Sequence, residues 1–254
     1  MRGGVYLLPS LLSLGNLLGG FYAIVSAFNG DHLRAAVAIL ISGVFDLLDG
    51  AVARMTGTVS EFGVQFDSLA DLVSFGVAPG LLAYSWALFP FNRIGWLACC
   101  LFVACGALRL ARFNVQARTM DKRYFVGLPI PAAAGFIASF VLFMKDSSSV
   151  MLFHKEVFSS SFTSVLAVVA IYSLSFLMVS RVRYRSLKGV DFRKRRPFTL
   201  LVGLILCFLL IASQPSLLIF AFFFFYTLSG VVRYIPLLKK SLFPERKERI
   251  SHGL

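Results

Sequence analysis

The stretch FDLLDGAVAR, residues 45–54, decides the fold because it places two carboxylates at the end of an apolar run long enough to span a membrane. That run, Leu33–Met55, otherwise has the composition of a membrane helix. A carboxylate in hydrocarbon costs a few kcal/mol even on lenient insertion scales, and such residues are functional by default. The stretch therefore predicts a membrane helix that carries Asp46 and Asp49 to a functional site.

The composition of the whole chain agrees with a membrane location. Of its 254 residues, 58% are hydrophobic and only 15% are charged, with a mean hydropathy of +0.80. A soluble domain is nearer half apolar and a quarter charged. The four cysteines lie in apolar runs without CxxC spacing, and the three histidines fall in predicted loops or the tail. These patterns predict an integral membrane protein and exclude a zinc site of the Cys/His type.

Eight segments are long enough, at about 20 residues each, to cross a bilayer. We therefore predict an all-α, polytopic membrane helix bundle of about eight transmembrane helices, or seven if the last two segments form a hairpin. Pro79 is expected to kink or end the rigid part of the third segment. The predicted spans are Val5–Phe28, Leu33–Met55, Phe62–Leu88, Ile94–Val115, Leu128–Lys145, Ser161–Val182, Phe198–Ser213 and Ser216–Ile235.

The distribution of basic residues predicts the orientation of the bundle. With eight spans both termini lie on one side, and that side carries 21 of the 25 Lys and Arg residues. The positive-inside rule assigns this side to the cytoplasm. We expect a protein of the bacterial cytoplasmic (inner) membrane, with its active site and both termini on the cytoplasmic side. The net charge of +13 then reflects topology and attraction to anionic membrane lipids, and no nucleic acid partner is predicted.

Acidic residues are concentrated at the cytoplasmic ends of the second and third spans. Of twelve in the chain, five lie within 26 residues: Asp46, Asp49, Glu61, Asp67 and Asp71. The first two are i, i+3 on one helix and the last two are i, i+4 on the next, so each pair shares a helix face. Glu61 lies in the connection and is expected to be solvated. The other four carboxylates are predicted to converge, because a short connection containing Gly57 and Gly63 folds the two helices antiparallel.

Four converging carboxylates need compensation of their charge. Two like charges at about 4 Å repel by about 4 kcal/mol at an effective dielectric of about 20. Arg54 is one cation and cannot balance four anions. Ligands that are all oxygen favour hard ions such as Mg²⁺ or Mn²⁺, and two such ions would neutralise the cluster. Gly50 and Ala53, three residues apart, would let a ligand or a backbone approach closely.

Written as a pattern, the segment reads Asp46-x2-Asp49-Gly50-x2-Ala53-Arg54-x8-Gly63-x3-Asp67-x3-Asp71. It resembles the complete signature of the CDP-alcohol phosphotransferase family, with every spacing met. The resemblance implies a six-helix core over roughly residues 5–182, a homodimer, and transfer of a phosphate-linked group from a CDP-linked substrate with release of CMP. We therefore expect a membrane core at residues 1–190 and an additional C-terminal transmembrane hairpin with a basic tail at 191–254.

The resemblance also implies a role for each position of the motif. By this resemblance, Asp46, Asp49, Asp67 and Asp71 bind the metal ions, Asp71 is also the general base, and Gly50, Ala53, Arg54 and Gly63 bind the CDP portion. The chemistry agrees, since metals stabilise charge on a diphosphate and a nearby carboxylate can accept a hydroxyl proton. Arg54 can fork onto phosphate oxygens. The first helix begins with LPS at residues 8–10, where related sequences of this family often have LPN. Asn16 is predicted to face the nucleotide in place of the asparagine that LPN would supply.

Three further stretches bear on the alcohol: GALRLARFN (106–114), YFVGLPIPAAAG (124–135) and MVSRVRYRSLKGVD (178–191). They resemble the phosphatidylserine synthase branch of the family, which implies CDP-diacylglycerol and L-serine as substrates. Arg109 and Arg112 could bind the carboxylate of an amino-acid acceptor, and Asn114 could add a hydrogen bond. Alternatively, these arginines only snorkel or bind lipid phosphate.

The acidic motif also has to be compared with three other classes of protein. A transferase of the same family could use glycerol 3-phosphate or inositol phosphate, which would favour additional basic residues facing the metals. A membrane prenyltransferase also uses two aspartate-rich segments but lacks the Gly-x2-Ala-Arg insert. A divalent-cation carrier should place its acids near the bilayer midplane. Here the acids lie near the cytoplasmic boundary, which favours an enzyme.

Overall fold

Long apolar helices dominate the residues that the computed structural model describes, which are 7–57, 60–116, 124–146, 160–180, 182–185 and 214–242. The helices are α1 (Leu7–Phe28), α2 (His32–Thr56), α3 (Glu61–Asp71), α4 (Ala78–Ala83), α5 (Asn92–Gln116), α6 (Ile130–Lys145), α7 (Ser160–Val179) and α8 (Pro215–Leu242). Within these described ranges, five helical stretches are long and apolar enough to cross a membrane, and α6 is a shorter apolar helix. The predicted class, an all-α membrane helix bundle, is confirmed.

Helices also coincide with seven of the eight predicted spans, usually within a few residues at each end. The predicted span Phe198–Ser213 lies outside the described residues. The same is true of most of the stretch from Arg181 to Arg196, which is rich in Lys and Arg and belongs to the predicted cytoplasmic side. The sixth predicted span ends at Val182, whereas α7 ends at Val179.

The third predicted span is a continuous helical path that does not end at Pro79. α3 passes after Asp71 into a π-helical segment, Leu72–Val77, which we call the first π segment. α4 follows with Pro79 in its first turn, and a second π segment, Tyr84–Leu88, leads to a short 3-10 turn at Phe89–Phe91. Local π geometry can satisfy backbone groups that a proline leaves without a partner. Of the two alternatives expected for Pro79, the end of the rigid helix is therefore wrong and the kink stays a prediction. The chain reverses only near Asn92, where φ is +46°.

α1 lies at the centre of the part of the bundle that carries the acidic motif. It packs against α2, α3 and the first π segment. Small residues allow this close packing, as is common between membrane helices. At Gly20, a Cβ would lie only 2.6 Å from Ser74 Cα in the first π segment. α1 therefore approaches the backbone of that segment at a distance that only glycine permits.

A pair of three-residue strands, which the sequence did not predict, joins α6 and α7. β1 (Tyr124–Val126) and β2 (Arg183–Arg185) are antiparallel, with Phe125 opposite Tyr184. Tyr184 is buried, and burial raises its pKa to about 12, so its hydroxyl stays protonated near neutral pH. That hydroxyl donates to the Thr227 carbonyl of α8 at 3.3 Å. The strand pair thereby connects the start of α6, the end of α7 and α8.

Candidate active site

Three carboxylates from two helices meet between α2 and α3. Asp46, Asp49 and Asp67 each place one oxygen within 4.8 Å of the other two. Asp71, the last residue of α3, lies one turn beyond Asp67 and outside this group of three. All four aspartates nevertheless line the same cavity, which has a volume of about 850 Å³.

Caps at the facing ends of α2 and α3 help to set this arrangement. Gly57 ends α2 in the left-handed conformation, with φ of 65°, and its N–H donates to the Ala53 carbonyl. Ser60 begins α3, and its hydroxyl accepts a hydrogen bond from the Gly63 N–H at 3.0 Å. A side chain at position 57 would be strained, because L residues other than glycine rarely adopt this conformation. Gly57 therefore marks the end of α2, and Ser60 caps the start of α3.

A second, smaller cavity of about 190 Å³ adjoins the first and shares several lining residues with it. Its lining includes every glycine, alanine and arginine of the motif predicted to bind CDP: Gly50, Ala53, Arg54 and Gly63. A Cβ on Gly50 would lie 3.1 Å from the Arg54 Nη1 atom. Because Gly50 has no side chain, the Arg54 guanidinium can lie close against α2.

The charges that line the larger cavity do not balance. Among the described residues that line it there are five carboxylates, those of the four aspartates and Glu61, and two guanidinium groups, those of Arg54 and Arg109. The Asp67 Oδ1 atom is buried and has no hydrogen-bond partner within the described part of the chain. Hard divalent cations prefer oxygen ligands of this kind. The donor set of Asp46, Asp49 and Asp67 therefore fits a metal such as Mg²⁺ or Mn²⁺.

α1 supplies two polar side chains to these carboxylates. The Ser13 hydroxyl donates to Asp49 Oδ2 at 2.8 Å, and the Asn16 amide donates to Asp71 Oδ1 at 3.0 Å. Asn16, predicted to contact CDP, is fully buried and lines neither of the two cavities. Ser13 was missed by the sequence reasoning, although its i, i+3 spacing from Asn16 on a membrane helix was a usable signal.

Of the three residues predicted to bind the acceptor, two line the larger cavity and one does not. Arg109 lines the larger cavity with only 8% of its surface exposed, and its guanidinium carbon lies 6.0 Å from the centre of the Phe113 ring. Its Nε atom is buried without a hydrogen-bond partner among the residues described. Asn114 also lines this cavity, and its amide donates to the Ser68 hydroxyl at 2.9 Å. Arg112 is half-buried and lines neither cavity.

Comparison with known proteins identifies the family. The family described as CDP-alcohol phosphatidyltransferase matches residues 6–171, which is more than half of the chain. The chain belongs to the CDP-alcohol phosphatidyltransferase family. The family match covers α1 to α6 and most of α7, and it ends before β2 and α8.

Relatives within the CDP-alcohol phosphatidyltransferase family extend the similarity. A CDP-diacylglycerol--serine O-phosphatidyltransferase from Helicobacter pylori is 37% identical over 96% of this chain and 97% of its own length. One of the same name from Bacillus subtilis is 34% identical over 71% of this chain and 91% of its own length. An archaetidylserine synthase from Methanothermobacter thermautotrophicus is 38% identical over 72% of this chain and 71% of its own length. Serine appears in all three names.

Proposed function

We propose that this protein transfers the phosphatidyl group of CDP-diacylglycerol to the hydroxyl of L-serine, giving phosphatidylserine and CMP. The observation that carries the proposal is the Helicobacter pylori relative, which has this activity in its name and aligns over 96% of the chain. Two further relatives whose names include serine favour this acceptor over glycerol 3-phosphate or inositol phosphate. Family membership and the position of the acids at the facing ends of α2 and α3 disfavour a divalent-cation carrier.

The smaller cavity is the proposed position of the CDP portion. Gly50, Ala53 and Gly63 lack bulky side chains and so leave room for a nucleotide beside the carboxylates. Arg54 reaches both cavities and can donate two parallel hydrogen bonds to phosphate oxygens. The acyl chains remain in the bilayer.

The acidic cluster is the proposed metal site. Asp46, Asp49 and Asp67 would hold a divalent ion, Mg²⁺ or Mn²⁺, and Asp71 would contribute to a second one. When bound, such ions offset the charge that develops on the transferring phosphoryl group and on CMP. Ser13 keeps Asp49 in place through its hydrogen bond.

The remaining residues act on the alcohol. Asp71 accepts the proton of the serine hydroxyl, and the serine oxygen forms a bond to the phosphorus that carries diacylglycerol. The bond from that phosphorus to the CMP oxygen breaks, and CMP departs with the electron pair. Arg109, which lines the larger cavity and has a buried Nε atom without a partner among the described residues, binds the serine carboxylate.

We also propose that the protein lies in a cytoplasmic (inner) membrane as a homodimer, with the site at the cytoplasmic face. The excess of Lys and Arg on one side of the predicted topology supports this orientation. The homodimer follows from the family resemblance.

Purified protein with CDP-diacylglycerol and Mn²⁺ or Mg²⁺ tests the activity when serine, glycerol 3-phosphate and inositol phosphate are offered separately. We expect CMP release and a phosphatidylserine product with serine. CMP release with glycerol 3-phosphate alone would refute serine as the acceptor, and no release with any alcohol would refute the transferase activity.

The Asp71→Asn variant should fold and bind CDP-diacylglycerol, but its turnover should fall by about 10²-fold or more, which is the range for a lost general base.

A further inference from the structure

The contact between α1 and Asp71 is more specific than helix packing requires. Asn16 is fully buried, and its amide nitrogen donates to Asp71 Oδ1 at 3.0 Å. The backbone carbonyl of Asn16 accepts a second hydrogen bond, from the Ser74 hydroxyl at 2.8 Å. One residue of α1 thus contacts the first π segment through its backbone and the end of α3 through its side chain.

The environment determines which end of the Asn16 amide faces Asp71. A carboxylate accepts hydrogen bonds, so the N–H end must face it, and the amide oxygen facing it would repel it. The Asn16 Oδ1 atom is consequently buried without a hydrogen-bond partner among the described residues. Burying an acceptor without a partner is unfavourable, because the atom loses its hydrogen bonds to water and gains none in return. An apolar residue would avoid this cost, so what the amide provides at this position is its hydrogen bond to Asp71.

The two backbones that carry the hydrogen bond between Asn16 and Asp71 are packed tightly against each other. The first π segment begins directly after Asp71, and α1 meets it at Gly20, one turn beyond Asn16. A Cβ at Gly20 would lie 2.6 Å from Ser74 Cα, so the two backbones are in close contact. The Asn16 amide and the Asp71 carboxylate are therefore fixed relative to one another by the packing of their own elements.

We propose that Asn16 is a positioning residue for Asp71 and not a nucleotide contact: its amide holds one oxygen of this carboxylate, so that the other is aimed into the cavity where the alcohol reacts. The proposal rests on the proposed function, in which Asp71 is the proton acceptor. It is consistent with the position of Asn16, which lines neither cavity, while Asp71 lines the larger one.

The test compares Asn16→Ala and Asn16→Leu with Ser74→Ala in the full-length protein. Both Asn16 variants remove the amide, and Leu keeps the same branched arrangement of heavy atoms, so it fills the space if Ala leaves a destabilising cavity. Ser74→Ala removes the other hydrogen bond to Asn16 and leaves the amide in place. The measurements are kcat, KM for CDP-diacylglycerol and for the alcohol, and the Kd for CDP-diacylglycerol from thermal shift.

For both Asn16 variants we expect kcat to fall by roughly 10–100-fold, the usual effect of removing a residue that orients a site ligand. KM and Kd for CDP-diacylglycerol should stay within about twofold, and Ser74→Ala should retain kcat within about twofold. A tenfold rise in Kd for CDP-diacylglycerol at unchanged kcat would make Asn16 a nucleotide contact. An equal loss of kcat in Ser74→Ala would make the effect one of packing, and unchanged kcat in both Asn16 variants would also overturn the proposal.

The wild-type arm of the same experiment separates this inference from the proposed function. If the wild type uses another alcohol in place of serine, the ratios are measured with that alcohol and the inference stands or falls on them alone. If the wild type releases no CMP with any alcohol, the proposed function and the inference both fail.

Discussion

At the scale of the residue, a buried guanidinium bears most directly on which alcohol reacts. Arg109 is 8% exposed, lines the larger cavity and has a buried Nε atom without a partner in the described ranges. The Asp71 carboxylate lies within electrostatic range of this guanidinium, and a serine carboxylate could pair with it in the bidentate geometry that arginine prefers, through the Nε atom that is left without a partner.

We therefore expect Arg109→Lys to raise KM for serine about tenfold or more, equivalent to about 1.4 kcal/mol of binding. Lysine keeps the charge but loses the planar fork. KM for CDP-diacylglycerol should change less than twofold. Arg112→Lys is the matched control, because Arg112 lies on the same helix but lines neither cavity. An equal or larger effect of Arg112→Lys on KM for serine would place the carboxylate elsewhere.

The sequence could predict part of this site at the residue scale. Asp46 with Asp49, and Asp67 with Asp71, share helix faces at any i, i+3 or i, i+4 spacing, so their approach could be predicted without a structure. Arg109 and Arg112 have the same i, i+3 relation. Which of them reaches the cavity depends on how α5 is rotated against its neighbours, and spacing alone does not determine that rotation.

At the scale of the element, the contact between α1 and the first π segment determines how close Asn16 lies to Asp71. Gly20 is the point of closest approach, where a Cβ would lie 2.6 Å from Ser74 Cα. Added volume there must move one backbone away from the other, and overpacking of this kind costs about 1–3 kcal/mol. The movement would also separate Asn16 from Asp71, because Asn16 lies one turn from Gly20 on the same helix.

Gly20→Ala should therefore lower both the thermal midpoint in detergent and kcat. Gly43→Ala provides the control, because the nearest atom to a Cβ at Gly43 is Phe75 Cε1 at 3.9 Å, an ordinary van der Waals contact. Alanine is favoured over glycine within a helix by about 0.5–1 kcal/mol, so this control should keep or slightly raise the midpoint. A Gly20→Ala variant as stable and active as the wild type would show that the close contact is not required.

The elements that the sequence did not predict are those that depend on their neighbours. Pro79 predicted a kink or an end of the helix, but the first π segment precedes it and the helical path continues to Phe91. The strands Tyr124–Val126 and Arg183–Arg185 are too short to show alternation of period two. Their pairing depends on α6 and α7 being adjacent, as the hydrogen bond from the Leu128 N–H to the Leu177 carbonyl shows.

At the scale of the whole molecule, the asymmetry of charge is the main evidence for orientation. Most Lys and Arg residues lie on the side of the predicted topology that also holds the α2–α3 connection and the acidic motif. Helix α2 links the two sides, from the turn at Asn29 and Gly30 to its C-terminal end at Thr56. The orientation proposed above would place the end at Thr56 in the cytoplasm, where CDP-linked substrates and serine would reach the site.

Cysteine labelling at the two ends of α2 tests this orientation. Asn29→Cys and Thr56→Cys are each introduced after the four native cysteines have been replaced by alanine; both positions are exposed, and neither lines the two cavities of the site. A membrane-impermeant maleimide added to intact cells should label the Asn29→Cys variant, because that turn faces outward. The Thr56→Cys variant should be labelled only after the membrane is permeabilised. The reverse pattern would put the acidic motif on the outer face, away from its cytoplasmic substrates, and would contradict the proposed orientation.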